Sequence, residues 1–437
     1  MARIQPFPAL RYNLDKVHID DVVTQPYDKI TPAMRERYLT QSPYNLVRVI
    51  LGEKREGDDD DENVYTRAHQ FLQEWIASDV LRADPEPGIY AYTQTFRSPQ
   101  SGAESQPIVR RGFIALCGLE PYANRVVFRH EQTLSGPKLD RQKLLRATRT
   151  HFGQIFMLYS DPSQNAEREL FSRATKPAAS TTDEYGTLHQ LYRETDAAVI
   201  ARLQAAMAPL PLVIADGHHR YETALLWSQE QDAEHPGSST RPWQWVMTTC
   251  VNLDAPGLVV LPTHRLVYGL PDFTPARASQ ALRKLFDWEP LGETTWATLA
   301  PRLASAAGAR PVFAVVLAGE SALLRPKADL DLPQLLPDAL PEQRKLDVLL
   351  LHQLALNLAL GVTPDMVREE RYLRYAHSAP EALAAVQSGA AQAAFLLNPI
   401  PPAQVRDVAL AGGVMPQKST DFFPKLLTGL ALYSVGH

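Results

Sequence analysis

Cysteine is nearly absent: Cys117 and Cys250 are the only two in 437 residues. They offer no disulfide framework and no Cys-type zinc site, and each lies in an apolar, strand-like segment that reads as holding a buried thiol. No run of about 18 apolar residues occurs, so no membrane-spanning helix is expected. The opening "MARIQPFPAL" lacks the charged-then-apolar pattern of a secretion signal, which makes a soluble cytoplasmic protein the expectation. Positive charge is not in excess either. With 44 Lys and Arg against 49 Asp and Glu, the net charge is -5, and no global basic field recruits nucleic acid or an anionic membrane. Several catalytic templates are also missing. There is no GxxxxGK[ST] loop, no GxGxxG opening a helix after a strand, no HExxH and no GxSxG.

What is present is an ordinary globular composition, 45% hydrophobic and 21% charged, at a length that suits two or three domains. Thirty-five prolines (Pro 35) mark many turns. Acidic "GDDDDEN" at 57–63 reads as a solvated loop, because the alternating ligands and turn glycine of a calcium site are missing. Thr31 followed by Pro32 predicts a capped helix start, and the apolar stretch Leu46 to Leu51 predicts a strand. "GIYAYTQTFR" and "RRGFIALCGLE" predict an antiparallel pair. The composition shifts after about residue 290. The expected organisation is an N-terminal α/β domain over 1–290 and a second α/β subdomain over 291–437.

Residues 212–225, "LVIADGHHRYETAL", carry the strongest chemical signal. An apolar run breaks at Asp216-Gly217, and a helix is predicted from about Arg220. Gly217 can take a positive φ without strain, so the chain can turn sharply there. The first helical turn beyond it offers backbone N–H groups and the positive end of a helix dipole. His218, His219 and Arg220 add donors and charge. The stretch therefore reads as a phosphate-binding turn, though strand–Gly–helix junctions are also common structural joints. A metal site on His218, His219 and Asp216 is disfavoured, because neighbouring residues rarely present two side chains to one ion and spacing places no third ligand.

Two further polar clusters interrupt the apolar scaffold. "HEQTLSGPKLDR" combines Glu131, Thr133, Lys138, Asp140 and Arg141 in a loop after a strand, followed by a helix from about Asp140. Asp140 and Arg141 read equally well as helix-start charges, whereas Glu131 lies where loops carry function. His189 is as readily a core histidine as a site residue. Near the C-terminus, "MPQKSTDFFPKLL" gathers Lys418, Ser419, Thr420 and Lys425, which can donate to a phosphate or simply form a polar loop packed by Phe422 and Phe423.

"PYDKIT", "SPYNLVRV", "HEQT…PKLDR…LLRAT", "GQIFMLYSD", "ADGHHRYETAL" and "MPQKSTDFFPKLL" together resemble the bacterial and archaeal family catalogued as domain of unknown function 1015, over about residues 3–433. A more remote resemblance links strand–DGHHR–helix to the signature turn of the ParB/sulfiredoxin-like fold, whose free serine kinases hold nucleotide phosphates there. That resemblance implies a mixed α/β, ParB/sulfiredoxin-like nucleotide-binding core with insertions. It implies that Asp216, Gly217, His218, His219 and Arg220 bind the phosphates of ADP or ATP, with Mg²⁺ bridging those phosphates and Asp216 its one protein candidate. By the same analogy Glu131 is the base on a substrate hydroxyl, with Asp216 and His218 as its catalytic companions. Thr133 and Lys138 would support the phosphates, and Lys418, Ser419, Thr420 and Lys425 would close over the substrate. The implied activity is a kinase of free L-serine or a similar small hydroxylated metabolite, from a chain that is a possible homodimer. A nucleotide-binding switch or scaffold, or a phosphatase or nucleotide hydrolase using the same site, are the other readings. The turn holds His where sulfiredoxin has its catalytic Cys, which argues against sulfinic-acid reduction.

Overall fold

The computed structural model describes residues 1–100, 105–131, 135–292, 295–308 and 310–435. The chain is mixed α/β, and its contacts divide it into two units. The first comprises Met1–Arg129, Thr133–Val259 and Pro424–His437; the second comprises His130–Gln132 and Val260–Phe423. The break thus falls at Val259/Val260 rather than after residue 290. The reason is strand pairing: His264–Val267 and Phe286–Pro290 both belong to the sheet of the second unit.

The first unit is built on a nine-stranded sheet. Its order runs Val127–Phe128, Leu212–Asp216, Ile155–Tyr159, Trp245–Asn252, Ile108–Gly118, Ile89–Phe96, Leu188–Glu194, Ala179–Thr182, with Ile4–Gln5 paired to Ile108–Gly118. Ile89–Phe96 and Ile108–Gly118 form the expected antiparallel pair. Leu212–Asp216 lies inside the sheet, parallel to Val127–Phe128 and antiparallel to Ile155–Tyr159. Leu212, Val213, Ile214 and Ala215 are all buried. A strand covered on both faces reads as a continuous apolar run, and this one does. The register against Ile155–Tyr159 shifts between Ile214 and Asp216. Such a bulge re-aims the side chain that follows it, here Asp216.

Other local readings resolve in two directions. Thr31 caps the helix Pro32–Gln41 by accepting from the Met34 N–H at 3.2 Å. The predicted strand at Leu46 to Leu51 is instead a short helical turn, Val47–Ile50. Asn45 Oδ1 accepts from the Val47 N–H at 3.0 Å, a local side-chain bond that favours the turn over a ladder. Val49 and Ile50 then join a core cluster with Leu72 and Trp75. The helix predicted from about Asp140 begins earlier, spanning Ser135–Thr148.

The second unit holds a six-stranded antiparallel sheet in the order Phe286–Pro290, Glu320–Pro326, Phe313–Leu317, Ala393–Leu397, His264–Val267, Leu373–Ala376. Phe313–Leu317 and Ala393–Leu397 are wholly buried at its centre. Among the described residues no helix is long and apolar enough to cross a membrane.

Candidate active site

Gly217 stands at the junction of sheet and helix with φ 91° and ψ 26°, left-handed backbone that glycine adopts without a Cβ penalty. The helix it opens runs His218–Glu234, two residues earlier than the sequence suggests. Gly217 has no side chain to cap that helix, and a helix N-terminus presents N–H groups and the positive end of a dipole, which suit an anion. The Gly217 N–H itself donates to Asp216 Oδ1 at 2.9 Å. A Cβ at Gly217 would come 3.1 Å from the guanidinium carbon of Arg220, and one at Gly153 would come 2.7 Å from its Nη1. Two glycines therefore make the slot in which the Arg220 guanidinium lies. Arg220 Nη1 donates to the Gln154 carbonyl, and Nη2 stands 3.6 Å from Asp216 Oδ2. Gln154 is held in turn: Thr249 Oγ1 donates to its Oε1 at 2.6 Å, and its Nε2 donates to the Leu427 carbonyl at 3.2 Å.

The field around the turn is cationic. Burial works against ionising Asp216, yet Lys425, then Arg220, His218 and Lys29, bring its carboxyl down to about 2. His219 is shifted down from the usual imidazole range, first by burial and then by Lys138, with Glu222, Asp28 and Asp216 pulling the other way. Lys138 forms an ion pair with Glu222, which also accepts from the Tyr122 hydroxyl at 3.3 Å. Arg141 pairs with Asp140, and its guanidinium lies 4.2 Å above the Tyr27 ring. Asp140 also accepts from the Tyr65 hydroxyl at 2.8 Å. A pocket opens beside this arrangement, with Arg220, Gly153, Tyr27 and Arg141 on its wall.

Residues 4–349 match the family described as "Protein of unknown function (DUF1015)". The chain belongs to this family. No curated protein matches it at a significant level. Among solved structures, a free serine kinase variant in complex with ADP is 10% identical with a TM-score of 0.38, covering 78% of this chain and 97% of that one. A free serine kinase variant with AMP is 12% identical with a TM-score of 0.37, covering 78% and 96%. A C-terminally truncated SbnI from Staphylococcus aureus is 10% identical with a TM-score of 0.33, covering 72% and 85%. Likeness at this level assigns no substrate.

In this DUF1015 protein the four polar residues of the C-terminal loop are shared between the two units. The division between units runs between Phe423 and Pro424. Lys425 belongs to the first unit and faces Asp216. Its backbone is pinned: Arg110, almost fully buried, donates to Gln94 Oε1 and to the Pro424 carbonyl, while Gln94 Nε2 donates to the Lys425 carbonyl at 2.8 Å. Burial pushes the Arg110 guanidinium down to about 10. Lys418, in the second unit, pairs with Glu370 and lies 4.5 Å over the Tyr375 ring. Ser419 is buried and donates to the Pro416 carbonyl. Thr420 Oγ1 is bonded to His130 Nε2 at 2.7 Å. Arg265 holds the same loop through the Gln417 and Lys418 carbonyls at 3.1 and 3.3 Å.

Glu131 falls in the second unit, half-buried, where its charge acts on the Tyr375 phenol. Thr133 lies outside the described residues. His189 proves to be a core histidine, bonded to the Tyr92 hydroxyl at 2.6 Å and to Asp183 at 3.2 Å. Sequence reasoning passed over Tyr27, Asp28, Lys29, Gly153 and Gln154 as site residues. Their only signal was polar or glycine residues at the ends of apolar runs in "PYDKIT" and "GQIF", which says nothing of the partner they meet.

Proposed function

We propose that the protein transfers a phosphoryl group from ADP or ATP to the hydroxyl of a small metabolite, with free L-serine the favoured acceptor. The observation that carries this reading is the turn itself: an uncapped helix start, the Arg220 guanidinium seated in a glycine-lined slot, and Lys425 and Lys29 around Asp216. Phosphoryl transfer asks mainly for positioning and charge neutralisation, and this turn is furnished for both. The first helical N–H groups and Arg220 take the phosphate oxygens, with His219 at the edge.

Asp216 is too acidic to serve as an effective base near neutral pH, since a general base works best with a pKa near the operating pH. Its place is electrostatic. Among the described residues no group of three or more His, Cys, Asp or Glu is gathered to hold a metal ion. Asp216 has carboxylate lone pairs beyond the one given to Gly217, which suits Mg²⁺ held mainly by phosphate oxygens with one protein carboxylate. When bound, that ion would supply charge neutralisation to the transferred group. The proton of the acceptor hydroxyl goes to Glu131 in this reading, because Asp140 is tied to Arg141 and Tyr65.

The deciding experiment follows nucleotide consumption by the purified protein with Mg²⁺ and ADP or ATP, with and without L-serine, and looks for phosphoserine. Serine-dependent turnover supports the proposal. Release of inorganic phosphate at the same rate without any acceptor replaces it with a hydrolase. Binding without turnover replaces it with a nucleotide switch.

A further inference from the structure

The pocket beside the turn is bordered by two residues that each bury a side-chain polar atom. Among the described residues, buried Thr223 Oγ1 and His151 Nε2 have no hydrogen-bond partner, and both residues border the cavity. Thr223 is 2% exposed and His151 8%. Leaving such groups unsatisfied costs about 1–3 kcal/mol each, so an orphaned pair in residues that border one cavity calls for an explanation. Thr223 lies one helical turn beyond Arg220, on the same side of the helix.

The rest of the lining narrows what fits. Ile50, Leu144, Leu145 and Phe152 make the cavity largely apolar, and the Tyr27 ring with the Arg141 guanidinium over it adds a flat wall. Among the described residues, no carboxylate lines the cavity. A free amino acid would therefore find no counter-ion for its ammonium and a poor match for its small polar body. Burial holds the His151 imidazole down to about 4, so it meets a ligand as a neutral ring, stacked on Tyr433. A neutral ring nitrogen and a hydroxyl are complementary to the mixed donor–acceptor edge of a heteroaromatic base.

We infer that this cavity is the base subsite of the nucleotide, in which Thr223 and His151 hydrogen-bond the edge of a planar nucleobase while Arg220 holds its phosphates. The inference rests on the phosphate-site reading of the turn and adds to it the half of the ligand that the turn cannot recognise. Thr223 lies within the stretch 212–225 but carries no role in the sequence reading of the turn, and His151 lies outside that stretch.

The test compares two ligands, ADP and inorganic pyrophosphate, by calorimetric titration of the full chain. On the wild-type protein ADP binds more tightly than pyrophosphate. Thr223→Val, which keeps shape and removes the hydroxyl, lowers ADP affinity about twofold to tenfold, leaves pyrophosphate affinity unchanged, and Thr223→Ser restores ADP binding. Equal wild-type affinity for the two ligands overturns the base subsite while the phosphate reading stands, and so does a Thr223→Val variant with undiminished ADP binding. Binding of neither ligand overturns both. Should Thr223→Val fail to fold, the wild type still decides. ADP moves the His151 ring resonances in an imidazole-detected NMR spectrum and pyrophosphate does not; the same response to both ligands, or to neither, overturns the inference.

Discussion

The turn at 216–220 and the loop at 416–420 look alike as sequences: each is a glycine- or proline-bounded string of donors after an apolar segment. They differ in what those donors already do. In the loop, Ser419 donates to Pro416, Thr420 is bonded to His130, and Lys418 is neutralised by Glu370. In the turn, Gly217 offers the helix start no side-chain cap, and Arg220 lines a cavity wall, donating to the Gln154 carbonyl with the Asp216 carboxylate 3.6 Å away. Residue type announces a capacity to bind an anion. Whether that capacity is spent at home is decided by partners far away in the chain.

The largest test of this contrast is Glu131, which shares the second unit with the loop. Glu131→Gln is expected to lower serine-dependent turnover by about 10²–10⁴ while leaving nucleotide affinity nearly unchanged. Full activity in the folded variant would remove the only catalytic role assigned outside the first unit.

Acid should unsettle both units. Burial lowers His151 in the first unit and His264 in the second to about 4 each. A histidine with a depressed folded pKa contributes stability that is complete above its unfolded value of about 6.5 and lost as pH falls through about 4. A loss on the order of 2–3 kcal/mol per histidine is expected between those limits, read from denaturant melts at stepped pH. A flat stability profile from pH 7 to 4 would show that neither ring is buried neutral.

Arg220→Ala should weaken ADP binding by roughly 1.5–3 kcal/mol, the range for a charge-assisted hydrogen bond. Gly217→Ala forces a Cβ into left-handed backbone and toward the guanidinium, at about 1–2 kcal/mol of folding stability. Its melting temperature should drop together with its ADP affinity; a drop in neither would mean that the turn relaxes freely. The smallest effect belongs to the loop. Lys418 is an exposed partner in a surface pair, so Lys418→Ala should change ADP affinity not at all and stability by about 1 kcal/mol or less. A tenfold loss of ADP affinity there would erase the distinction between turn and loop.

Local chemistry was well legible in the sequence. Gly217 announced its positive φ, Thr31-Pro32 its cap, and the apolar run at Leu212 its buried strand. Leu46 to Leu51 misled because β-branched residues suit a strand until a neighbour such as Asn45 offers the backbone a different bond. The unit boundary misled because composition changes after the strands that begin the second sheet, not before them. What could not be read were pairings across long stretches: Gly153 making room for Arg220, Lys425 set against Asp216, His130 occupying Thr420. Such pairs leave no periodicity behind.

The return of residues from Pro424 onward to the first unit sets an order on the making of the protein. Leu432 bridges Leu10, Thr428 bridges Thr24, and Tyr433 pairs with His151. As the ribosome works from the N-terminus, everything from Val260 to Phe423 is synthesised before these last ladder partners exist. The second unit has all its strands before the first can finish its own, so the nascent first unit waits on the ribosome with open backbone at Leu10, Thr24 and His151. The segment that closes those gaps also carries Lys425 to Asp216, so that positive charge arrives in the same late step that seals the first unit.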